Sequence, residues 1–177
     1  MSVYAALMAA FIAIGAYVAV PIGPVPIVLQ NLFVLLTGLL LGSRWGLASV
    51  GLYLLAGACG LPVFAGGMGG IGRLFGPTGG YLLSYLPAVF VIGLITEKFG
   101  KRAVVDIVAM ICATAIIYAC GVTWLKLLTG MDWSKALAVG MVPFLIGDAL
   151  KIAAAVAIAK TLRPVMHGAG IGQPVAH

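Results

Sequence analysis

Two opposite charges stand three residues apart inside an apolar run near the end of the chain, PFLIGDALKIAAAVAIAK: Asp148 and Lys151. In a helix that spacing puts both on one face. Charges in such a run are costly in lipid and face a cavity or the bundle interior. A carboxylate accepts hydrogen bonds from ligand N–H groups, and an ammonium donates to a carbonyl or carboxylate. Together they suit a small polar head carrying both kinds of group. The alternative is a self-neutralising structural pair, but nothing in the adjoining sequence calls for a lock of that kind.

Other side chains could join them. Arg73 is the only charge between Gly57 and Tyr81; it either anchors the chain at the interface or draws in an anionic ligand group. Gln30, at the mouth of an apolar segment, is either an interfacial amide or a ligand contact. Phe64, Phe75, Tyr81 and Tyr85 supply apolar walls. No His/Glu metal cluster, nucleophile elbow or P-loop occurs, so no metal or cofactor is expected and ATP hydrolysis by Walker chemistry is excluded. The run Gly67–Gly72 formally matches G-x-G-x-x-G but has no βαβ unit around it. An intramembrane enzyme using Asp148 and Lys151 as acid and base competes with a binding role; a channel-forming bundle is a third class.

The elements that must position these groups are membrane spans. Of 177 residues 63% are hydrophobic and 8% charged, and the mean hydropathy is +1.22. A soluble domain of this size could not hide that much apolar surface. The net charge of +6 falls mostly between spans, where it signals topology rather than nucleic acid. Spans are expected at 3–20, 28–42, 45–58, 79–96, 103–127 and 143–163: an all-α, six-helix transmembrane bundle, one domain over 1–177 with a polar tail from 164. The first apolar run reads as a span rather than a cleaved signal. Cys59, Cys112 and Cys120 are expected as buried, unpaired thiols. Asp106 is expected to pair with the basic turn at Lys98, Lys101 and Arg102.

Between spans, residues 57–81 hold ten glycines in 25 residues and two prolines. Such a stretch cannot be a spanning helix. It is also too apolar for a solvated linker, so it reads as the lid and one wall of a binding site. Three prolines at 21–26 make an extended connector, and Asp132 or Ser134 could cap a brief interfacial helix before Pro143. Arg44, Lys98, Lys101, Arg102, Lys160 and Arg163 lie on the side of the termini, against Arg73, Lys126 and Lys135 opposite. That bias puts both termini in the cytoplasm and opens the pocket outward. Ala5, Ala9 and Ala13, widened by Ala6 and Ala10, form a small-residue face for packing or for docking a separate membrane subunit.

These motifs carry a resemblance. VPIVLQN at 25–31, GLPVFAGGMGGIGRLFGPTGGYL at 60–82 and GDALK at 147–151 are similar to the BioY family, the biotin-specific substrate-capture (S) components of energy-coupling factor (ECF) transporters. They recur in the family's order along essentially the whole chain. The resemblance implies a six-helix bundle in the cell membrane with an outward-facing biotin pocket. It implies that Asp148 and Lys151 hold the ureido ring, helped by Gln30 and the loop around Phe64, Gly66 and Gly67, with Tyr81 near the substrate. Some relatives have an asparagine after the PVF run; this chain has Ala65, Gly66 and Gly67 there. The alanine face of the first helix then docks a transmembrane coupling subunit, and two separate ATPase subunits power the cycle.

Overall fold

A computed structural model describes residues 1–20 and 24–168, and the chain is almost entirely helical. Residues 21–23 of the connector and the expected tail beyond 168, with His177, lie outside the described residues. The order is α1 (Ser2–Tyr17), a short antiparallel pair β1 (Ala19–Val20) and β2 (Ile27–Val28), α2 (Gln30–Ala58), α3 (Gly79–Phe99), α4 (Ala103–Thr129), α5 (Trp133–Gly140) and α6 (Leu145–Gly168). Three helices and the 133–166 stretch are long and apolar enough to cross a membrane, while Ser2–Tyr17 is apolar but shorter. The chain is a multi-pass membrane protein.

The expected turn at Gly42 is a break inside α2. Gly42 has φ 76° and ψ −170°, backbone that a side chain rarely adopts. A Cβ built on Gly46 would lie 3.7 Å from the Gly38 Cα. Eight residues of straight helix would separate those positions by about 12 Å, so α2 folds back on itself. In an unbroken helix the Ser43 N–H would bond the Leu39 carbonyl. Instead Ser43 N donates to Glu97 Oε1 at 2.7 Å and its hydroxyl to Oε2 at 2.8 Å, while the Leu39 carbonyl accepts from Arg163 Nη2 at 3.2 Å. One charge from α3 and one from α6 thus satisfy the two backbone groups that the break sets free.

Arg163 also makes a two-pronged bond to Asp106, at 2.6 and 2.9 Å. Asp106 is therefore not paired with the neighbouring basic turn, as its position in the chain predicts, but with a residue 57 positions away. That guanidinium is the better partner because its fork matches both carboxylate oxygens in a buried setting. Anchored in this way, α6 continues through Pro164 to Gly168 where a tail was expected from 164.

Close helix contact supplies the rest. A Cβ on Gly93 would fall 2.1 Å from Ser43 N, and one on Gly38 2.8 Å from the Ile92 side chain. α3 thus meets α2 backbone to backbone, the geometry that gains most dispersion energy in lipid. Ala5 and Ala9 are buried, and the Ala5 carbonyl accepts from Ser49 Oγ at 2.8 Å. The Ala5, Ala9 side of α1 is therefore covered within this chain, Ala13 is half-buried, and Ala6 and Ala10 face outward. The three cysteines are free and exposed rather than buried; Cys112 and Cys120 both lie on α4, which leaves much of its surface to lipid, and Cys59 caps the end of α2.

Candidate ligand cavity

Six elements converge at one end of the bundle around a cavity of about 380 Å³, within the range of small-molecule sites. Ala19 and Val28 enter it from the β pair, Gln30 and Asn31 from the start of α2, and Thr78, Tyr81, Leu82 and Tyr85 from the start of α3. Tyr118 comes from α4, Phe144 from the turn before α6, and Lys151 from α6 itself.

The glycine-rich segment closes one side. Phe64 and Met68 form a bridge, Phe64 N donating to the Met68 carbonyl at 2.8 Å, and the turn between them needs left-handed backbone at Gly66 and Gly67. Phe64 pins this tip to α2. Its ring fills the notch at Gly57, where a Cβ would fall 2.1 Å from the ring, and meets Tyr53 edge-on at 5.6 Å. The Tyr17 hydroxyl at the end of α1 donates to the Pro62 carbonyl, and Trp124 Nε1 donates to the Gly76 carbonyl at 2.9 Å. Phe64, Ala65, Gly66, Met68 and Arg73 all line the cavity.

Its floor is charged. Lys151 Nζ donates to Asp148 Oδ1 at 3.0 Å, and the Tyr118 hydroxyl donates to Oδ2. Both oxygens of Asp148 are thus held by protein donors. Lys151 and Tyr118 face the cavity, whereas Asp148 stands behind them and is not among its lining residues. Lys151 spends one of its three N–H groups on that bond, leaving two for a ligand. Gln30 is almost fully buried and, among the described residues, its amide nitrogen has no hydrogen-bond partner. Orphaned buried donors cost about 1–3 kcal/mol each, which a ligand acceptor can recover. Tyr85 donates to Asn31 Oδ1 at 2.6 Å, and Tyr81 donates to the Gly140 carbonyl at 2.8 Å, tying α3 to α5. Val25, Phe64, Leu82 and Phe144 add apolar wall. The arrangement fits a molecule with a hydrogen-bonding head, an apolar body and, toward Arg73, an anionic end.

Of the residues singled out from the sequence, Gln30, Phe64, Gly66, Arg73, Tyr81, Tyr85 and Lys151 meet at this cavity. Asp148 reaches it through its neighbours. Gly67 turns toward the Tyr17 ring, 3.4 Å from a built Cβ, and Phe75 is exposed away from the cavity. Asn31, Thr78, Tyr118 and Phe144 were not singled out. Tyr118 had a signal, being the one tyrosine in the long apolar run of α4.

Comparison with known proteins gives one family. The model of the BioY family matches residues 1–168. The biotin transporter BioY of Thermotoga maritima is 43% identical over 159 residues, covering 90% of this chain and 93% of that protein. A probable biotin transporter BioY of Pyrococcus horikoshii is 41% identical over 158 residues, 89% and 93% of the two chains. A crystal structure of the S-component for biotin from an ECF-type ABC transporter superimposes with a TM-score of 0.86 at 33% identity, covering 92% of this chain and 89% of that one.

Proposed function

This chain belongs to the BioY family, and from that premise we propose that it captures biotin as the S component of an ECF-type vitamin transporter. It is a transport protein and not an enzyme. The observation that carries the choice of ligand is the cavity floor, where Lys151, fixed by Asp148, shares the space with the Gln30 amide nitrogen, which has no partner among the described residues. Biotin's ureido ring offers a carbonyl to such donors, its ring system and aliphatic arm match Phe64, Leu82 and Phe144, and its carboxylate suits Arg73. Asp148 acts on the ureido head chiefly by holding Lys151 and Tyr118 in place. The Phe64–Met68 tip, Gly67 included, is the lid; with Ala65, Gly66 and Gly67 at the tip, backbone groups take the place of the asparagine side chain of some relatives.

On this reading α1, the two arms of α2, α3, α4 and α6 make six crossings, and the domain spans 1–177. The cavity opens outward from the cytoplasmic membrane and both termini lie inside, as the basic residues favour. A transmembrane coupling subunit, driven by two ATPase subunits, docks on α1. Because Ala5 and Ala9 are packed inside the chain, the small residues open to that partner are Ala6 and Ala10, beside Ala13. Equilibrium binding of labelled biotin to the purified protein tests the proposal. One saturable site displaced by unlabelled biotin, but not by thiamine or riboflavin, is expected. No saturable binding, or equal displacement by either vitamin, would overturn it.

A further inference from the structure

A second concavity, of about 680 Å³, runs along the outside of the bundle between α4, α5 and α6. Its floor is a stripe of α4 from Ile111 to Thr123 with the small residues Ala115 and Ala119 at its middle, and Trp133, Leu137 and Ala149 form the sides. Ala115, Ala119, Thr123 and Ala149 are exposed, so the trough is open to the bundle's surroundings, which for a spanning helix is lipid. Twelve residues of helix rise about 18 Å, against about 15 Å for half of a hydrocarbon core. The apolar strip is thus about as long as the acyl layer of one leaflet is thick, the length one lipid chain would cover.

One end of this trough is cationic. Lys126 follows Val122 and Thr123 on the same helical face, and its Nζ lies 5.0 Å above the Trp133 ring. Among the described residues it forms no ion pair. A lysine next to an exposed tryptophan, one turn beyond an apolar trough, places a positive charge where a lipid phosphate would stand. We propose that this groove is a binding site for one anionic phospholipid, its acyl chain along Ala115 and Ala119 and its phosphate on Lys126. The lipid would also cover the side of Asp148 that faces the groove, keeping water from the pair it forms with Tyr118.

Native mass spectrometry of the full chain in detergent, titrated with dioleoyl phosphatidylglycerol or the phosphatidylcholine of the same chains, tests this. The wild type is expected to hold one phosphatidylglycerol about fivefold more tightly, the worth of one lysine near an anionic headgroup. K126A should lose that preference, and A119F, which fills the trough, should lose the adduct with both lipids. An independent readout is the quenching of Trp133 by acyl-brominated lipid, taken as the difference between wild type and W133F; stronger quenching by the brominated phosphatidylglycerol is expected. Equal affinity for the two lipids, an adduct unchanged by A119F in folded protein, or equal quenching would overturn the proposal. A dimer that excludes lipid from this face would overturn it in favour of a second copy.

Discussion

Replacing Asp148 by Asn changes one atom's character and removes one charge from a pair whose side chains are only 9% and 7% exposed. At 3.0 Å and an effective dielectric constant of about 20, the lost attraction is about 5.5 kcal/mol. Part of it returns because the carboxylate no longer has to be desolvated, and breaking one side of a buried pair costs about 3–5 kcal/mol. The Asn amide also presents a donor where the Tyr118 hydroxyl donates, so the anchor on α4 is disturbed too. Affinity falls for a separate reason, because Lys151 is no longer held toward the ligand; a charged hydrogen bond lost to biotin, about 1.5–3 kcal/mol, corresponds to binding weaker by about 10- to 150-fold. The informative assay is a cycle of D148N, K151Q and the double variant. Biotin affinity is read by titration with labelled ligand, and stability by the fraction surviving heating on size-exclusion chromatography. A thiol-reactive dye is unsuitable because all three cysteines are exposed. Each single variant should be destabilised by several kcal/mol, while the double, which leaves no unpaired buried charge, should lie within about 1 kcal/mol of wild type. All three should bind biotin poorly. Additive losses in the double variant, or wild-type affinity in D148N, would refute the reasoning.

Other changes separate the lid, the floor and the far end of the bundle. Gly57→Ala puts a methyl 2.1 Å from the Phe64 ring, so the lid should lift and biotin affinity fall at least about tenfold while circular dichroism stays helical. Tyr118→Phe removes a hydrogen bond to a charged, buried oxygen, worth about 1.5–3 kcal/mol; biotin titration should show a loss of about tenfold or more. Arg163→Met strands Asp106, which is 2% exposed, and should lower stability by about 3–5 kcal/mol on the same chromatographic assay. Biotin affinity of whatever remains folded should be unchanged, because that pair closes the opposite end of the bundle from Lys151.

Breaks in the chain were legible because they are local. Gly42 and the glycines of 57–81 each act on their own backbone, so the turn in α2 and the irregular lid could be placed from residue type alone. The Asp148, Lys151 pair was legible for the same reason, since helical spacing puts both on one face. Long-range partners were not. Asp106 has three cations within a few positions, yet binds Arg163 from the other end of the chain, and nothing local distinguishes those choices. Tyr118 stood in plain view in α4, but its role needs Asp148 to arrive from a helix 30 residues away.

The alanines of α1 draw the same boundary more finely. Small residues line both sides of that helix, so composition shows that something can approach closely, on either side. Which side turns inward depends on where Ser49 and the second arm of α2 lie, and only packing decides that Ala5 and Ala9 are covered and Ala6 and Ala10 are not. A single sequence therefore determines the membrane as solvent, the apolar segments, their interruptions and a charged floor, because each follows from free energies summed over neighbouring residues. Tertiary structure decides which of those charges face the ligand, and which stand behind, because burial and pairing are settled among helices distant in the chain.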